Sequence, residues 1–142
     1  MSGWMAVAMS NSRKARGTAW ETAVVNFLRR ETGGGIPVFK PRQEGQADCG
    51  DIHVDADFVL QCKDWKSWSK QDAYNFVDAA DEQARVAARP WGVSVVKRRK
   101  AAGSSGSVAS GLVSMSLDTF AAIVHDLAEG REALSREMEE FE

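Results

Sequence analysis

Three side chains with complementary chemistry lie close together in the sequence: Asp51, Gln61 and Lys63. Asp51 opens a β-prone run, and a polar turn at residues 55–57 separates it from a second run at residues 58–63. Because side chains alternate between the two faces of a strand, Gln61 and Lys63 share one face. A hairpin folded at residues 55–57 would return them to Asp51. A carboxylate, an amide oxygen and an ammonium at one sheet edge can hold Mg²⁺ and stabilise a phosphoryl group.

The segment before these residues is predicted to be a helix. Thr18 is placed as its N-cap with Glu21 three residues on, which is the spacing of a capping box. Apolar residues then recur at helical spacing until Glu31, after which three glycines follow. These apolar residues are Trp20, Val24, Phe27 and Leu28.

The remaining elements follow from the same rules of periodicity and turn chemistry. Strands are predicted at residues 36–40, 51–54, 58–63, 92–97 and 112–116, and further helices at residues 70–88 and 118–128. The last helix is expected to turn inward Phe120, Ile123, Val124 and Leu127. The order α-β-β-β-α-β-β-α is typical of an α/β sandwich, a mixed sheet with helices on its faces.

Length and composition favour one domain with its own core, because the chain has 142 residues and 44% hydrophobic content. Residues 1–12 are predicted to be a flexible N-terminal arm, residues 13–128 the domain, and residues 129–142 an acidic tail or helix. No apolar stretch approaches the roughly 18 residues of a membrane span, so no membrane partner is expected. Two cysteines, Cys49 and Cys62, make neither a disulfide framework nor a zinc site. A reducing, intracellular setting is therefore favoured.

Charge is distributed unevenly along the chain. Residues 1–100 carry 16 Lys and Arg against 12 Asp and Glu, whereas residues 101–142 carry 2 against 8. A basic body with an acidic C-terminal segment is compatible with a nucleic-acid partner.

Several short motifs occur in a fixed order along the chain. They are Arg16-Gly17-Thr18-Ala19-Trp20-Glu21, Arg42, Gly50-Asp51-Ile52, Gln61-Cys62-Lys63 and the two strands at residues 93–98 and 112–117. This ordered set resembles the PD-(D/E)xK nuclease superfamily and, within it, the Holliday-junction resolvase branch, which includes phage-encoded members. The resemblance covers residues 13–127 and implies a restriction-endonuclease-like mixed β-sheet flanked by helices. It also implies a cytoplasmic enzyme, which for a phage-encoded member means the infected host cell.

The resemblance implies hydrolysis of a DNA phosphodiester with Mg²⁺, for which Mn²⁺ would substitute. Asp51, Gln61 and the Cys62 carbonyl would hold the ion, and Glu21 would do so directly or through water. Lys63 would orient the attacking water and stabilise developing charge. The catalytic set is thus Glu21, Asp51, Gln61 and Lys63. The family usually has Asp or Glu where this chain has Gln61, so one ligand brings no negative charge.

The resemblance also implies branched DNA as the partner and a homodimer, since symmetric cutting of two strands is most simply done by a two-fold dimer. Phosphate contacts are expected from ten basic residues: Arg13, Lys14, Arg16, Arg42, Lys66, Lys70, Lys97, Arg98, Arg99 and Lys100. Trp65 and Trp68 would either stack on unpaired bases or pack at a subunit interface.

Other interpretations of the same residues remain open. In one of them, Glu21 is only the third residue of a capping box. In another, Lys63 is only a solvated residue at the end of a strand. The leading prediction is an endonuclease that resolves four-way junctions. The alternatives are a flap, fork or duplex endonuclease with the same site, or a catalytically silent DNA-binding module.

Overall fold

A computed structural model describes residues 3–42, 48, 50–99 and 107–141, with the side chains of the first helix described from Lys14 onward. The elements in chain order are α1 (Gly3–Glu31), β1 (Val38–Phe39), β2 (Ile52–Val54), β3 (Phe58–Lys63), α2 (Lys70–Val86), β4 (Trp91–Val96), a 3₁₀ turn (Val108–Ser110), β5 (Leu112–Ser114) and α3 (Leu117–Glu140). None of these helices is long and apolar enough to span a membrane.

The five strands form one mixed sheet in the order β1-β2-β3-β4-β5. The predicted hairpin is confirmed: β2 and β3 pair antiparallel, with Ile52 opposite Leu60. β3 and β4 pair parallel, with Gln61 opposite Ser94. A parallel pair needs a long crossover connection, and α2 supplies it. The predicted mixed α/β sheet flanked by helices is therefore confirmed.

The two faces of the sheet are covered by different helices. α1 packs Trp20 and Val24 against the β3 and β4 side chains that alternate onto its face, including Leu60 and Val95. The Trp20 indole Nε1 also donates a hydrogen bond to the Val95 carbonyl at 3.2 Å. α2 covers the opposite face and buries Phe76, Ala80, Gln83 and Ala84.

One prediction about α1 needs correction. The helix begins at Gly3, so Thr18 lies within it and the prediction of an N-cap at Thr18 is wrong. The residues predicted as a separate arm continue the same helix from Gly3 onward. The Ser/Thr-x-x-Glu spacing is short enough to occur inside helices, and no proline interrupts the preceding residues.

The last helix also differs from the prediction. It runs to Glu140, and its N-cap Ser116 accepts a hydrogen bond from the Thr119 backbone amide at 3.0 Å. Phe120, Val124 and Leu127 were expected inward but are about half exposed, so that prediction is wrong. Helical periodicity identifies an apolar stripe but not the surface that it meets. Here α1 and α2 already lie on the two faces of the sheet.

Candidate active site

A loop with a left-handed glycine places Asp51 directly before β2. Gly50 has φ of +96°, and a Cβ there would lie 2.2 Å from Val59 Cγ1, so only glycine fits. The Gly50 amide donates to Asp48 Oδ1 at 3.0 Å, and Gln83 Nε2 donates to Asp48 Oδ2 at 2.9 Å. α2 therefore braces the loop that presents the Asp51 carboxylate.

Backbone hydrogen bonds then fix Asp51 against β3. Its amide donates to the Leu60 carbonyl at 3.1 Å, and its Oδ2 accepts a hydrogen bond from the Cys62 amide at 2.8 Å. Continuing the β2–β3 register by one residue places Asp51 opposite Gln61. The hairpin thus brings together two of the residues singled out in the sequence.

Gln61 carries a buried side-chain oxygen without a hydrogen-bond partner, as Gln83 and Ser94 also do among the described residues. The residue is 8% exposed, and its Oε1 has no hydrogen-bond partner among the described residues. A buried acceptor without a donor is costly, about 1–3 kcal/mol, and such atoms are rare in folded proteins. A cation bound at Oε1 would remove that cost.

Glu21 projects from α1 toward Asp51. Its carboxyl lies within hydrogen-bonding reach of the Asp51 carboxyl. Burial, and then the negative charge of Asp51, raise the pKa of Glu21. Burial likewise raises the pKa of Asp51, although the Cys62 amide and the Lys63 charge oppose the shift. The nearby positive charges therefore do not offset the burial of the two carboxyls, even though Lys40 Nζ lies 3.6 Å from Glu21 Oε2.

Lys63 completes the cluster at the end of β3. Its ammonium lies 5.7 Å from the centre of the Trp65 ring and 5.8 Å from that of Phe76. The two rings meet edge to face at 4.9 Å, which holds the lysine by cation–π attraction on the side of α2. The structure thus brings Glu21, Asp51 and Lys63 together, as the sequence predicts; their catalytic role stays a prediction.

The side chains of this cluster could hold Mg²⁺ only if a neutral ligand joins the charged ones. Within the described part of the chain, no group of three or more His, Cys, Asp and Glu side chains could hold a metal ion. Glu21 and Asp51 are two candidate carboxylate ligands, and the unpartnered Gln61 oxygen is a candidate third ligand of the kind Mg²⁺ accepts. Burial raises the pKa of the Cys62 thiol, so the thiol stays neutral and only the backbone carbonyl is a candidate ligand.

A cleft of about 510 Å³ lies beside these groups. It is lined by Arg16, Gly17, Cys62, Lys63, Asp64, Trp65, Lys66 and Ser67. The buried Arg16 Nε has no hydrogen-bond partner among the residues that the structure describes. Arg16 and Lys66 therefore offer positive charge to a phosphate that enters the cleft. The 42% exposure of Trp65 leaves part of its ring open for contact.

The other predicted DNA contacts fall into different places. Lys97 and Arg99 lie 3.9 Å and 2.5 Å from the carboxylate of Asp64, whose side chain is buried, so both cations already have a partner. Lys14, Arg42, Lys70 and Arg98 are exposed. The side chain of Arg13 and the whole of Lys100 lie outside the described residues. Their contacts with DNA stay predictions.

Sequence reasoning missed three residues that support the site: Lys40, Asp64 and Gln83. Gln83 left a detectable signal, because it is a polar residue beside Ala80 and Ala84 on the buried face of α2. Lys40 and Asp64 left none, since each pairs with a residue far away in the sequence.

The raised pKa values predict how the stability of the metal-free protein depends on pH. A carboxyl with a raised folded-state pKa stabilises the fold below its unfolded pKa and loses that contribution as the pH rises through the folded value. For Glu21 the loss begins above its ordinary value of 4.5. In EDTA, Glu21→Gln is therefore expected to have a larger free energy of unfolding than the wild type near neutral pH. The difference should shrink as the pH approaches 4.5.

Urea unfolding of both proteins across this pH range measures the effect. Glu31→Gln, which removes an exposed carboxyl of the same helix, is the matched control and should show little of it. A wild type that is more stable than Glu21→Gln at neutral pH in EDTA would contradict the prediction.

The fold defines a mixed α/β protein with a five-stranded sheet between helices and a polar cluster at one end of its central hairpin. Comparison of the chain with protein-family models, with curated proteins and with solved structures gave no match. The functional argument therefore rests on the geometry of the cluster.

Proposed function

We propose that the protein is a Mg²⁺-dependent DNA endonuclease of the PD-(D/E)xK type with a restriction-endonuclease-like fold. One observation carries the proposal: two carboxyls with raised pKa values meet near a lysine, and Gln61, which pairs with Asp51 across the hairpin, has a buried oxygen without a partner in the described chain. A divalent cation would neutralise the carboxylates and satisfy the amide oxygen. Phosphodiester hydrolysis is a reaction that uses such a cation together with a nearby ammonium.

The residues divide the work of the reaction between them. Bound Mg²⁺ would lower the pKa of a water and offset charge on the phosphate. Asp51, Gln61, the Cys62 carbonyl and Glu21 would hold it, and Mn²⁺ would take the same ligands. Lys63 would orient the attacking water and stabilise the negative charge that develops on the phosphate. The Trp65 and Phe76 rings would keep Lys63 in position, because they flank its ammonium.

The proposed substrate is branched DNA, with the four-way junction first. The basic cleft beside Lys63 favours a substrate that carries phosphates. The resemblance to junction resolvases favours a branched DNA among such substrates. Such an enzyme would act in the cytoplasm, as a homodimer with two sites. Selectivity among branched DNAs depends on the spacing of those two sites. The cleavage test below therefore also includes a flap and a linear duplex.

The decisive experiment compares cutting of a fixed four-way junction, a flap and a linear duplex, each with Mg²⁺ and with EDTA. We expect the junction to be cut fastest in Mg²⁺ and no substrate to be cut in EDTA. Faster cutting of the flap or duplex would reassign the substrate and keep the site. A protein that binds the junction and cuts nothing in Mg²⁺ or Mn²⁺ would be a silent DNA-binding module, an outcome favoured by the missing charge at Gln61.

Substitutions at Gln61 are expected to change the metal requirement. Gln61→Glu supplies the third carboxylate, so cleavage should persist and reach half its maximum at a lower Mg²⁺ concentration. In EDTA the same variant should melt at a lower temperature than the wild type, because a third buried carboxylate would join two whose pKa values are already raised. Gln61→Ala should need more Mg²⁺ than the wild type.

Mg²⁺ titrations of cleavage rate and of melting temperature measure both effects. Gln71→Glu, on the exposed surface of α2, is the matched control. Equal Mg²⁺ requirements in the wild type, Gln61→Glu and Gln61→Ala would remove Gln61 from the metal site.

A further inference from the structure

α3 carries an apolar stripe that the fold leaves uncovered. Among the described residues of α3, only Thr119 is buried. Beyond it, apolar side chains recur at alternating steps of three and four residues, with Arg131 in the remaining position. We call the set the α3 seam: Leu117, Phe120, Val124, Leu127, Arg131, Leu134, Met138 and Phe141. Its apolar members are 47% to 91% exposed.

We propose that the α3 seam is a homodimer interface in which it packs antiparallel against the α3 seam of a second copy of this chain. The spacing of the seam is that of the a and d positions of a two-stranded coiled coil. A 24-residue helix is about 36 Å long, enough for an interface of several layers. The inference requires no nuclease activity.

The seam is complementary to itself in the antiparallel direction. With the two-fold axis at Glu129, Leu117 lies opposite the partner's Phe141 and Phe120 opposite the partner's Met138. Val124 then lies opposite the partner's Leu134. Every position of the seam meets another seam position, and three apolar layers form on each side of the axis.

Charge favours this direction over the parallel one. A parallel pair in register would place Arg131 opposite the partner's Arg131 and would bring the two acidic C-terminal halves together. The antiparallel pair places Arg131 opposite the partner's Leu127, where its aliphatic stem can pack while the guanidinium reaches water. It also brings Glu137 near the N-terminus of the partner's α3, where the helix dipole is positive, whereas Glu140 meets the partner's Asp118 there.

Small residues at the axis support close packing of the two helices. Gly130 lies in the interior of α3, and a Cβ there would meet nothing within 4 Å in the monomer. A glycine inside a helix costs about 1 kcal/mol relative to alanine, and no contact within the described monomer accounts for it. Gly130 and Ala128 flank the axis, where the backbones of two crossing helices would come closest.

Disulfide trapping tests the direction. In a Cys49→Ser background, with the native Cys62 buried, Val124→Cys and Leu134→Cys are made separately and together. Under mild oxidation we expect a covalent dimer from an equal mixture of the two single variants and from the double variant, and none from either single variant. A disulfide bridge from each single variant alone would show a parallel pair and overturn the proposal. No bridge in any sample would also overturn it.

Light scattering on the full chain tests the pairing itself. Val124→Glu should convert the dimer to a monomer, because it faces the partner's apolar Leu134, whereas Ala122→Glu, on the opposite side of α3, should leave it dimeric. Arg131→Leu should lower the dimer dissociation constant about tenfold or more, because it completes the apolar seam. Circular dichroism should show native helix in each variant, since the exposed side chains do not hold the monomer together. A monomeric wild type, or a dimeric Val124→Glu, would overturn the proposal.

Discussion

Lys63→Ala is expected to slow Mg²⁺-dependent cleavage by at least about 10²–10³-fold, the usual loss when a preorganised charge-stabilising group is removed. The ammonium lies near Asp51 and is held by the Trp65 and Phe76 rings, so the substitution removes a positive charge that is fixed beside the proposed metal site. Asp51→Asn should be at least as damaging, because it removes one of only two carboxylates in the proposed metal site. Single-turnover cleavage of a junction measures both losses.

Binding and chemistry must be separated in this experiment. Lys66→Ala is the matched control, because Lys66 lines the same cleft but its side chain is exposed. It should weaken junction binding slightly and leave the single-turnover rate nearly unchanged. Lys63→Ala and Asp51→Asn should still bind the junction. Cleavage at the wild-type rate by either variant would remove the proposed site.

Gly92→Ala is expected to lower the free energy of unfolding by about 3 kcal/mol, at the upper end of the usual cost of overpacking. The added Cβ would lie 2.2 Å from the Ala80 carbonyl oxygen and 2.4 Å from the carbonyl carbon, both in the backbone of α2. Neither can rotate away, so the helix must move off the sheet. The shift would separate Phe76 from Lys63 and Gln83 from Asp48. The rate of cleavage should therefore fall together with the stability.

Urea unfolding measures this loss, and the same substitution at Gly17 is the control. Gly17 lies inside α1 with nothing within 4 Å of a Cβ, so Gly17→Ala should be neutral or stabilising by up to about 1 kcal/mol. Equal unfolding free energies for the wild type and Gly92→Ala would show that α2 does not lie against β4 at this residue.

The hairpin illustrates what could be predicted from sequence. Alternation between strand faces and a polar turn at residues 55–57 were enough to place Asp51 beside the end of β3, and the β2–β3 register confirms that placement. Both signals are local, since each depends on residues that are neighbours in the chain. The helix at residues 70–86 was predictable for the same reason, because its apolar face and its end are encoded within the segment.

α3 illustrates what could not be predicted. Its periodicity correctly indicated a helix with an apolar face, but the expectation that Phe120 and Leu127 point into the core was wrong. A helix pattern does not specify its partner surface, which depends on how the other elements fill the space. The predicted start of α1 was wrong for a related reason. The capping-box spacing at Thr18 can occur inside a helix as well as at its first turn.

By itself, the sequence determined the hairpin and the alternation that sets Gln61 and Lys63 on one face. These depend on backbone geometry and on contacts a few residues apart. The tertiary structure decided that Glu21 reaches Asp51, that Asp64 holds Lys97 and Arg99, and that Gln83 braces Asp48. The two residues of each pair are about 30 or more positions apart in the chain. They come into contact only when the strands pair and the helices pack on the sheet.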